Sequence, residues 1–165
     1  MRIRLIDDKF RREPGHFLLQ SLMAFAVIAA IILAMGALTN GALVAALGAS
    51  AFIVFAMPAH KTATPRNLIG GHVLCMAIGL LCSIPLRLGL LEHSTLTHGL
   101  LGAAAASIAL FGMVATDTEH PPAAGNALAF AVTPIGWPQA LFTLGTILLL
   151  SFVRWLLRGW LRDLA

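Results

Sequence analysis

The sequence predicts an all-α membrane protein: a polytopic helix bundle of about six spans, one of them short or broken, with both termini cytoplasmic. Three observations carry that prediction. First, 59% of the 165 residues are hydrophobic and only 11% are charged, and the mean hydropathy is +0.89. A soluble domain normally carries about 25% charged residues, because a globule must still cover its surface with polar groups. Second, the apolar residues fall into long runs separated by short polar turns. Third, the charges are grouped at the flanks. Of the eleven basic residues, Arg2, Arg4, Lys9, Arg11 and Arg12 precede the first run, and Arg154, Arg158 and Arg162 stand at or beyond the end of the last. The pI near 10.1 therefore describes membrane flanks. No basic stripe interleaved with aromatics points to nucleic acid as a partner.

A membrane span needs about 20 apolar residues, fewer if the helix is buried among others. The first run, from Phe17 to about Leu38, contains no charge. It is too long for a signal-peptide core and lacks an Ala-x-Ala exit, so no cleavable signal is expected. Asn40-Gly41 marks a turn, and a second run extends from Ala42 to Met57. The polar stretch from His60 to Asn67 leads to a third run, Leu68 to about Leu91, interrupted by Pro85 and Arg87. A loop with Glu92, His93 and His98 precedes the fourth run, Gly99 to Ala115. After Thr116 to Pro122 comes a short apolar piece, Ala123 to Val132. The Pro134-Ile135-Gly136-Trp137-Pro138 turn then introduces the last run, Gln139 to Leu157. The chain divides into a basic cytoplasmic segment (1–16), a transmembrane domain (17–157) and a basic cytoplasmic tail (158–165).

Charge decides how to count the short piece. The basic N-terminus belongs in the cytoplasm, and the Lys61/Arg66 loop two spans later agrees. The basic C-terminus also favours the cytoplasm, which requires an even number of crossings. Six satisfies this, and five, with the short piece re-entrant, does not. A helix over Ala123–Val132 is only about 15 Å long, so it would cross as a broken helix inside the bundle. Cys75 and Cys82 lie on one helix about 10 Å apart, too far for a disulfide, and are expected to be small buried hydrophobes. The small-residue tracts Gly48-Ala49-Ser50-Ala51 and Gly102 to Ser107 let helix backbones approach closely, the main packing device in lipid.

Two polar helix starts carry the functional information. In the first, Thr64 is a good N-cap and Pro65 suits the first helical position. Arg66 and Asn67 follow in the first turn, and His72 lies two turns in, on a face opened by Gly70 and Gly71. In the second, the residue before a proline is pushed out of the helical region, so the helix starts near Pro122. Proline offers no side-chain acceptor, so the N–H groups of Ala123 and Ala124 are left without a local cap. Donors at membrane depth must find a partner, and the helix dipole favours an anion there. Discontinuous transporter helices use their N-termini this way. The two stretches are faintly alike: a small-residue span, a polar turn, proline, then Gly71-His72 or Gly125-Asn126.

At Glu119-His120-Pro121-Pro122-Ala123 the sequence resembles the HPP family of integral membrane proteins. Pro65-Arg66-Asn67-Leu68-Ile69-Gly70-Gly71-His72 resembles the family's other signature, and Gly48 to Ala51 resembles the helix before it. The ordered combination covers most of the chain from Gly41 to Phe130. The resemblance implies four or more helices and, from plastid and cyanobacterial members, nitrite transport. Some members carry an additional cytoplasmic regulatory domain, which is not expected here. Gly125-Asn126-Ala127 departs from the Gly-Ala-Thr expected at that place, which bears on whether a hydroxyl contact to substrate carries over.

Three functions are set against one another. The favoured one is transport of a small inorganic anion, nitrite or nitrate, by a protein of the bacterial inner (plasma) membrane that is not an enzyme and needs no cofactor. Its expected substrate-binding residues are Arg66, Asn67, His72, His120, Pro121, Pro122, Ala123, Ala124 and Asn126. Arg66 would attract the anion, His72 and Asn126 would donate hydrogen bonds, and His120 could couple a proton, since histidine titrates near neutrality. The second is a membrane metal site built from His60, His72, Asp117, Glu119 and His120, although no His-x-x-x-His or His-Glu-x-x-His spacing appears. The third is a non-transporting assembly or regulatory subunit. Ser83, Ser94 and Ser107 lack a nucleophile elbow, which disfavours hydrolytic catalysis. Besides the lipid bilayer, the expected partner is a second copy of the chain, because six short spans enclose little interior.

Overall fold

Every apolar run forms a helix. The computed structural model describes residues 8–35 and 40–165; Arg2, Arg4 and the end of the first apolar run at Leu38 lie outside them. The described elements are α1 (Asp8–Arg12), α2 (Pro14–Met35), α3 (Gly41–Ala56), α4 (Pro65–Arg87), α5 (Thr95–Ala115), α6 (Ala123–Val132) and α7 (Trp137–Leu157), with a 3₁₀ turn at Lys61–Ala63. Among the described residues there is no strand. Among the described residues, four helices are long and apolar enough to cross a membrane: α2, α4, α5 and α7. At most a third of each such span is buried within the protein. Their outward faces carry large apolar side chains, such as Leu33 and Phe111, 82% and 72% exposed. Only lipid can cover that much apolar surface, and the chain is a multi-pass integral membrane protein.

The element boundaries follow local chemistry. Asn40 caps α3, its Oδ1 accepting from the N–H groups of Ala42 and Leu43 at 3.1 and 3.2 Å. Thr64 caps α4, with Pro65 in the first turn. Ser94 Oγ accepts from the Thr97 N–H at 3.1 Å to cap α5. The N–H of Gly136 donates to Gln139 Oε1 at 3.1 Å where α7 begins. α5 ends in a Schellman turn, in which the N–H of Thr118 returns to the Met113 carbonyl at 2.9 Å. Its left-handed position is taken by Asp117, with φ 56°, one of the few non-glycine types that tolerate it.

The first two helices meet the C-terminal tail at one end of the bundle. Gln20 on α2 donates to the carbonyls of Phe55 (2.5 Å) and Arg162 (2.9 Å), and accepts from the Arg162 N–H (2.8 Å). Leu164 N–H bonds the Ala56 carbonyl at 2.9 Å, Lys9 Nζ donates to the Ala165 carbonyl, and Arg154 on α7 donates to the Pro58 carbonyl at 2.8 Å. At the opposite end Asn40 Nδ2 donates to Thr133 Oγ1 at 2.7 Å, and Arg87 to the Ile135 carbonyl at 3.3 Å.

These contacts settle the course of the short helix. His120, before α6, bonds the Thr62 carbonyl near the termini, while Thr133 and Ile135, after it, bond residues at the far end. The segment therefore runs from one end of the bundle to the other and does not turn back. Its 10 helical residues cover about 15 Å, and the non-helical stretches 116–122 and 133–136 join it to α5 and α7. α6 is the most enclosed element, packed against α3, α4 and α5, with Ala123, Asn126, Ala127, Ala129, Phe130 and Ala131 all buried. Gly79 allows this approach: a Cβ there would lie 2.5 Å from the Ala127 carbonyl oxygen and 2.7 Å from Phe130 Cβ. α2, by contrast, lies at the periphery, mainly against α3.

Candidate functional site

The enclosed crossing of α3, α4 and α6 contains the densest group of buried polar side chains near the terminal end. Ser50, His72, His120 and Asn126 are each fully buried. Small residues bring them together. A Cβ on Gly71 would meet the Thr118 carbonyl oxygen at 2.8 Å and His120 Cβ at 2.9 Å. The stretch before α6 therefore lies directly on α4, beside His72. Gly125 faces Ala46 of α3 with similar closeness, one helical turn before Ser50.

The four side chains form a continuous chain of hydrogen bonds. Asn126 Nδ2 lies 2.8 Å from His72 Nδ1, and His72 Nε2 lies 2.8 Å from Ser50 Oγ. Ser50 Oγ is also 2.9 Å from His120 Nε2 and 2.9 Å from the Ala46 carbonyl. His120 Nδ1 lies 2.8 Å from the Thr62 carbonyl. The two imidazole rings are tilted by 49° with centroids 5.0 Å apart. Asn126 Oδ1 is buried without a hydrogen-bond partner. A buried acceptor left so is costly, about 1–3 kcal/mol.

Above this network lies a charged mouth. Lys61 pairs with Asp117 (2.5 Å) and Glu119 (3.1 Å), and Arg66 pairs with Asp117 (3.3 Å). Arg66 also donates to the Thr116 carbonyl at 3.1 Å. The Lys61 ammonium holds Asp117 below its ordinary range. Glu119 is held low first by its own backbone N–H and then by Lys61. Beside the mouth, Met113, Glu119, His120, Pro121 and Ala124 line a cleft of about 480 Å³ between α5 and α6.

The residues expected from sequence thus separate into three groups. His72, His120 and Asn126 meet directly, so the Gly-His and Gly-Asn positions of the two similar stretches bond one another. Arg66 and Asn67 stand a layer away. Asn67 is a fastener: its Nδ2 donates to the Glu119 carbonyl at 3.0 Å, and its Oδ1 accepts from Thr64 Oγ1 at 2.8 Å. Pro121, Pro122, Ala123 and Ala124 form the turn into α6, and there one expectation needs correction. Pro122 occupies the N-cap and provides no side-chain cap, as anticipated, but the following donors are not free. The N–H groups of Ala123, Ala124 and Gly125 bond the carbonyls of His120, Pro121 and Pro122 at 2.9, 3.1 and 3.1 Å. Prolines fix φ near −65°, and two in succession let the chain close here in tight i→i−3 turns.

The five potential metal ligands are not gathered. His60 bonds Thr62 Oγ1 at 2.8 Å, Asp117 and Glu119 are engaged by Lys61, and among the described residues no three such side chains converge. Cys75 and Cys82 are free thiols, Cys75 donating to Met113 Sδ at 3.7 Å. Sequence reasoning missed Ser50, which it took as part of a packing tract, and the Thr62 carbonyl. A lone hydroxyl in an otherwise apolar helix was the available signal for Ser50; a backbone carbonyl leaves none.

Two Dictyostelium discoideum proteins, each described only as a transmembrane protein, are 34% identical to this chain over 86 residues, 52% of its length. The matched part is 26% of one relative and 28% of the other, so the chain spans about a quarter of their length. No solved structure matches the chain. The model of the HPP transmembrane region matches residues 10–161, a span that takes in all six long or apolar helices, both polar helix starts and the buried histidines, and the chain therefore belongs to the HPP transmembrane family.

Proposed function

We propose that this chain moves a small inorganic anion, nitrite or nitrate, across a bacterial inner membrane, with its termini and the charged mouth on the cytoplasmic side. The observation that carries this is the Ser50–His72–His120–Asn126 network. It is a buried polar path through helices otherwise given over to apolar packing, and ionisable groups at membrane depth mark substrate or proton pathways by default. His72 and Asn126 supply N–H donors of the kind an oxyanion accepts. Arg66, beside the mouth, attracts the anion; Asn67 holds the start of α4 against Glu119; Pro121 and Ala124 form the cleft wall beside His120. Pro122 and Ala123 keep the turn into α6 closed. The backbone N–H groups of Ala123 and Ala124, already bonded to carbonyls, are left out of the anion's first contacts. The chain acts as a carrier and not as an enzyme. It self-associates through the small-residue face of α5, where Ala103, Ala104 and Ser107 are exposed.

Nitrite flux into proteoliposomes tests this. The combined Arg66→Ala, His72→Ala, His120→Ala variant is expected to lose flux on the order of tenfold or more, since each removed bond to a charged group is worth roughly 1.5–3 kcal/mol. Equal flux in wild type and variant rejects the site. No flux under any imposed gradient rejects the substrate.

A further inference from the structure

The mouth offers an anion no net charge, since Lys61 and Arg66 are matched by Asp117 and Glu119. An anion taken into the buried network needs a positive charge from elsewhere. The hydrogen-bond directions within the network show where one fits.

A carbonyl oxygen only accepts, so His120 Nδ1 carries a proton and donates to Thr62. The amide Nδ2 of Asn126 only donates, so His72 Nδ1 is bare. A neutral imidazole holds one N–H. His72 therefore donates through Nε2 to Ser50 Oγ, and His120 Nε2 is a bare acceptor facing the same oxygen. Ser50 has one hydroxyl proton and two acceptors for it, His120 Nε2 and the Ala46 carbonyl, each at 2.9 Å. Pointing at His120, it satisfies both rings in their neutral forms. Pointing at Ala46, it leaves two lone pairs facing one another, unless His120 Nε2 has itself gained a proton. In that case Ser50 Oγ accepts from both rings and donates to Ala46. The same heavy-atom positions thus serve two complete hydrogen-bond patterns that differ by one proton.

We propose that Ser50, His72 and His120 form a proton-binding site of capacity one, filled at His120 Nε2, with the Ser50 hydroxyl turning to the Ala46 carbonyl to make room. The Nε2 lone pair takes a proton from a hydronium ion that arrives through the cleft beside Glu119 and His120 and leaves as water; no other bond breaks. The second ring stays neutral, because two buried imidazolium rings with centroids 5.0 Å apart repel. The groups around the pair are few. His72 faces His120 from α4 and Ser50 faces it from α3, while Asn126 of α6 and Met113 of α5 carry no charge. Glu119 borders the same cleft, and Lys61, Arg66 and Asp117 lie in the mouth. Resting on the anion-carrier reading, this site gives the anion its countercharge, so proton and anion move one to one.

Imidazole ¹⁵N NMR of histidine-labelled protein in nanodiscs, titrated in parallel with nitrite flux, tests the site. At neutral pH His72 is expected as the Nε2–H form and His120 as the Nδ1–H form. On acidification only His120 gains a second proton. Ser50→Ala is expected to lower the His120 midpoint by about one pH unit or more, and Ser50→Thr to restore it. An Nδ1–H tautomer at His72, joint protonation of both rings, or an unmoved midpoint in Ser50→Ala overturns the proposal; the tautomers are read in wild type, whatever the variants do. Flux rising about tenfold per pH unit of acidification, until His120 is filled, supports one-proton coupling. A correct titration with no nitrite flux at any pH keeps the proton site and rejects nitrite as substrate. Flux indifferent to pH keeps the carrier and rejects the coupling.

Discussion

α4 and α6 lead into the bundle from the same end and close their first turns by different means. At α4 side chains form the cap: Thr64 Oγ1 accepts from the Asn67 N–H at 3.4 Å, and Asn67 reaches on to the Glu119 carbonyl. At α6 the backbone forms it, three successive N–H groups turning back onto the His120, Pro121 and Pro122 carbonyls. The consequence is functional. A helix start capped by its own backbone leaves its polar side chains, His120 and Asn126, to bond across helices. At α4 the side chains are spent at the helix start, Thr64 on the cap and Asn67 on the Glu119 carbonyl, and α4 contributes to the network only two turns deeper, at His72.

The strongest way to break this comparison is to push the two helices apart. Gly79→Val places a branched side chain where even a Cβ meets the Ala127 carbonyl oxygen at 2.5 Å. We expect a loss of about 3 kcal/mol, the upper part of the usual overpacking range, read as a lower unfolding midpoint in detergent. A midpoint equal to wild type would mean that α6 does not depend on the close crossing.

Replacing the deep side chain ranks next. His120→Phe removes the bonds to Thr62 and Ser50 while keeping the ring, and should cost about 1–3 kcal/mol for the buried groups left unsatisfied. Full stability in that variant would show that water takes over the Thr62 carbonyl.

The caps themselves give a sharper contrast of smaller size. Thr64→Ala should cost about 1 kcal/mol and Thr64→Ser should recover most of it. Pro122→Ser, which offers α6 the side-chain cap it lacks, should change stability by less than about 0.5 kcal/mol, because the donors it could serve are already bonded. A clear stabilisation by Pro122→Ser, again in detergent unfolding, would show those turn bonds to be weak.

The smallest effect lies in the exposed pairs that tie the two helix starts together. Asp117 and Glu119 are held below their ordinary 3.8 and 4.5. Their stabilising contribution is complete above those values and fades as pH falls through the lower values of the folded state. Lys61, raised above 10.5 first by Asp117 and then by Glu119, keeps its contribution until pH rises through that higher value. The difference in unfolding midpoint between wild type and Lys61→Ala should therefore be constant from about pH 5 to about pH 9 and shrink as the pH falls further into acid. Added salt should reduce it further, since exposed pairs are screened.

Much of this architecture was legible in the chain itself. Apolar runs between Phe17 and Leu157, and the charges gathered at their flanks, determined an all-helical membrane bundle, because a backbone in lipid has to satisfy its own hydrogen bonds and helices do so locally. Local chemistry placed the Thr64 cap and the proline at the start of α6. The HPP resemblance pointed to His72 and His120, and the likeness between the two polar helix starts pointed to Asn126. What the sequence left open was non-local. Whether 120–133 crosses depended on Asn40 meeting Thr133, residues 93 positions apart. Whether the α6 donors were free depended on the dihedral angles of two successive prolines. That Ser50 is the hinge of the polar network depended on α3 packing beside α4 and α6. Spacing along one helix reports which side chains share a face; which faces then meet is decided by small residues such as Gly71 and Gly79, whose missing side chains let one backbone rest on another.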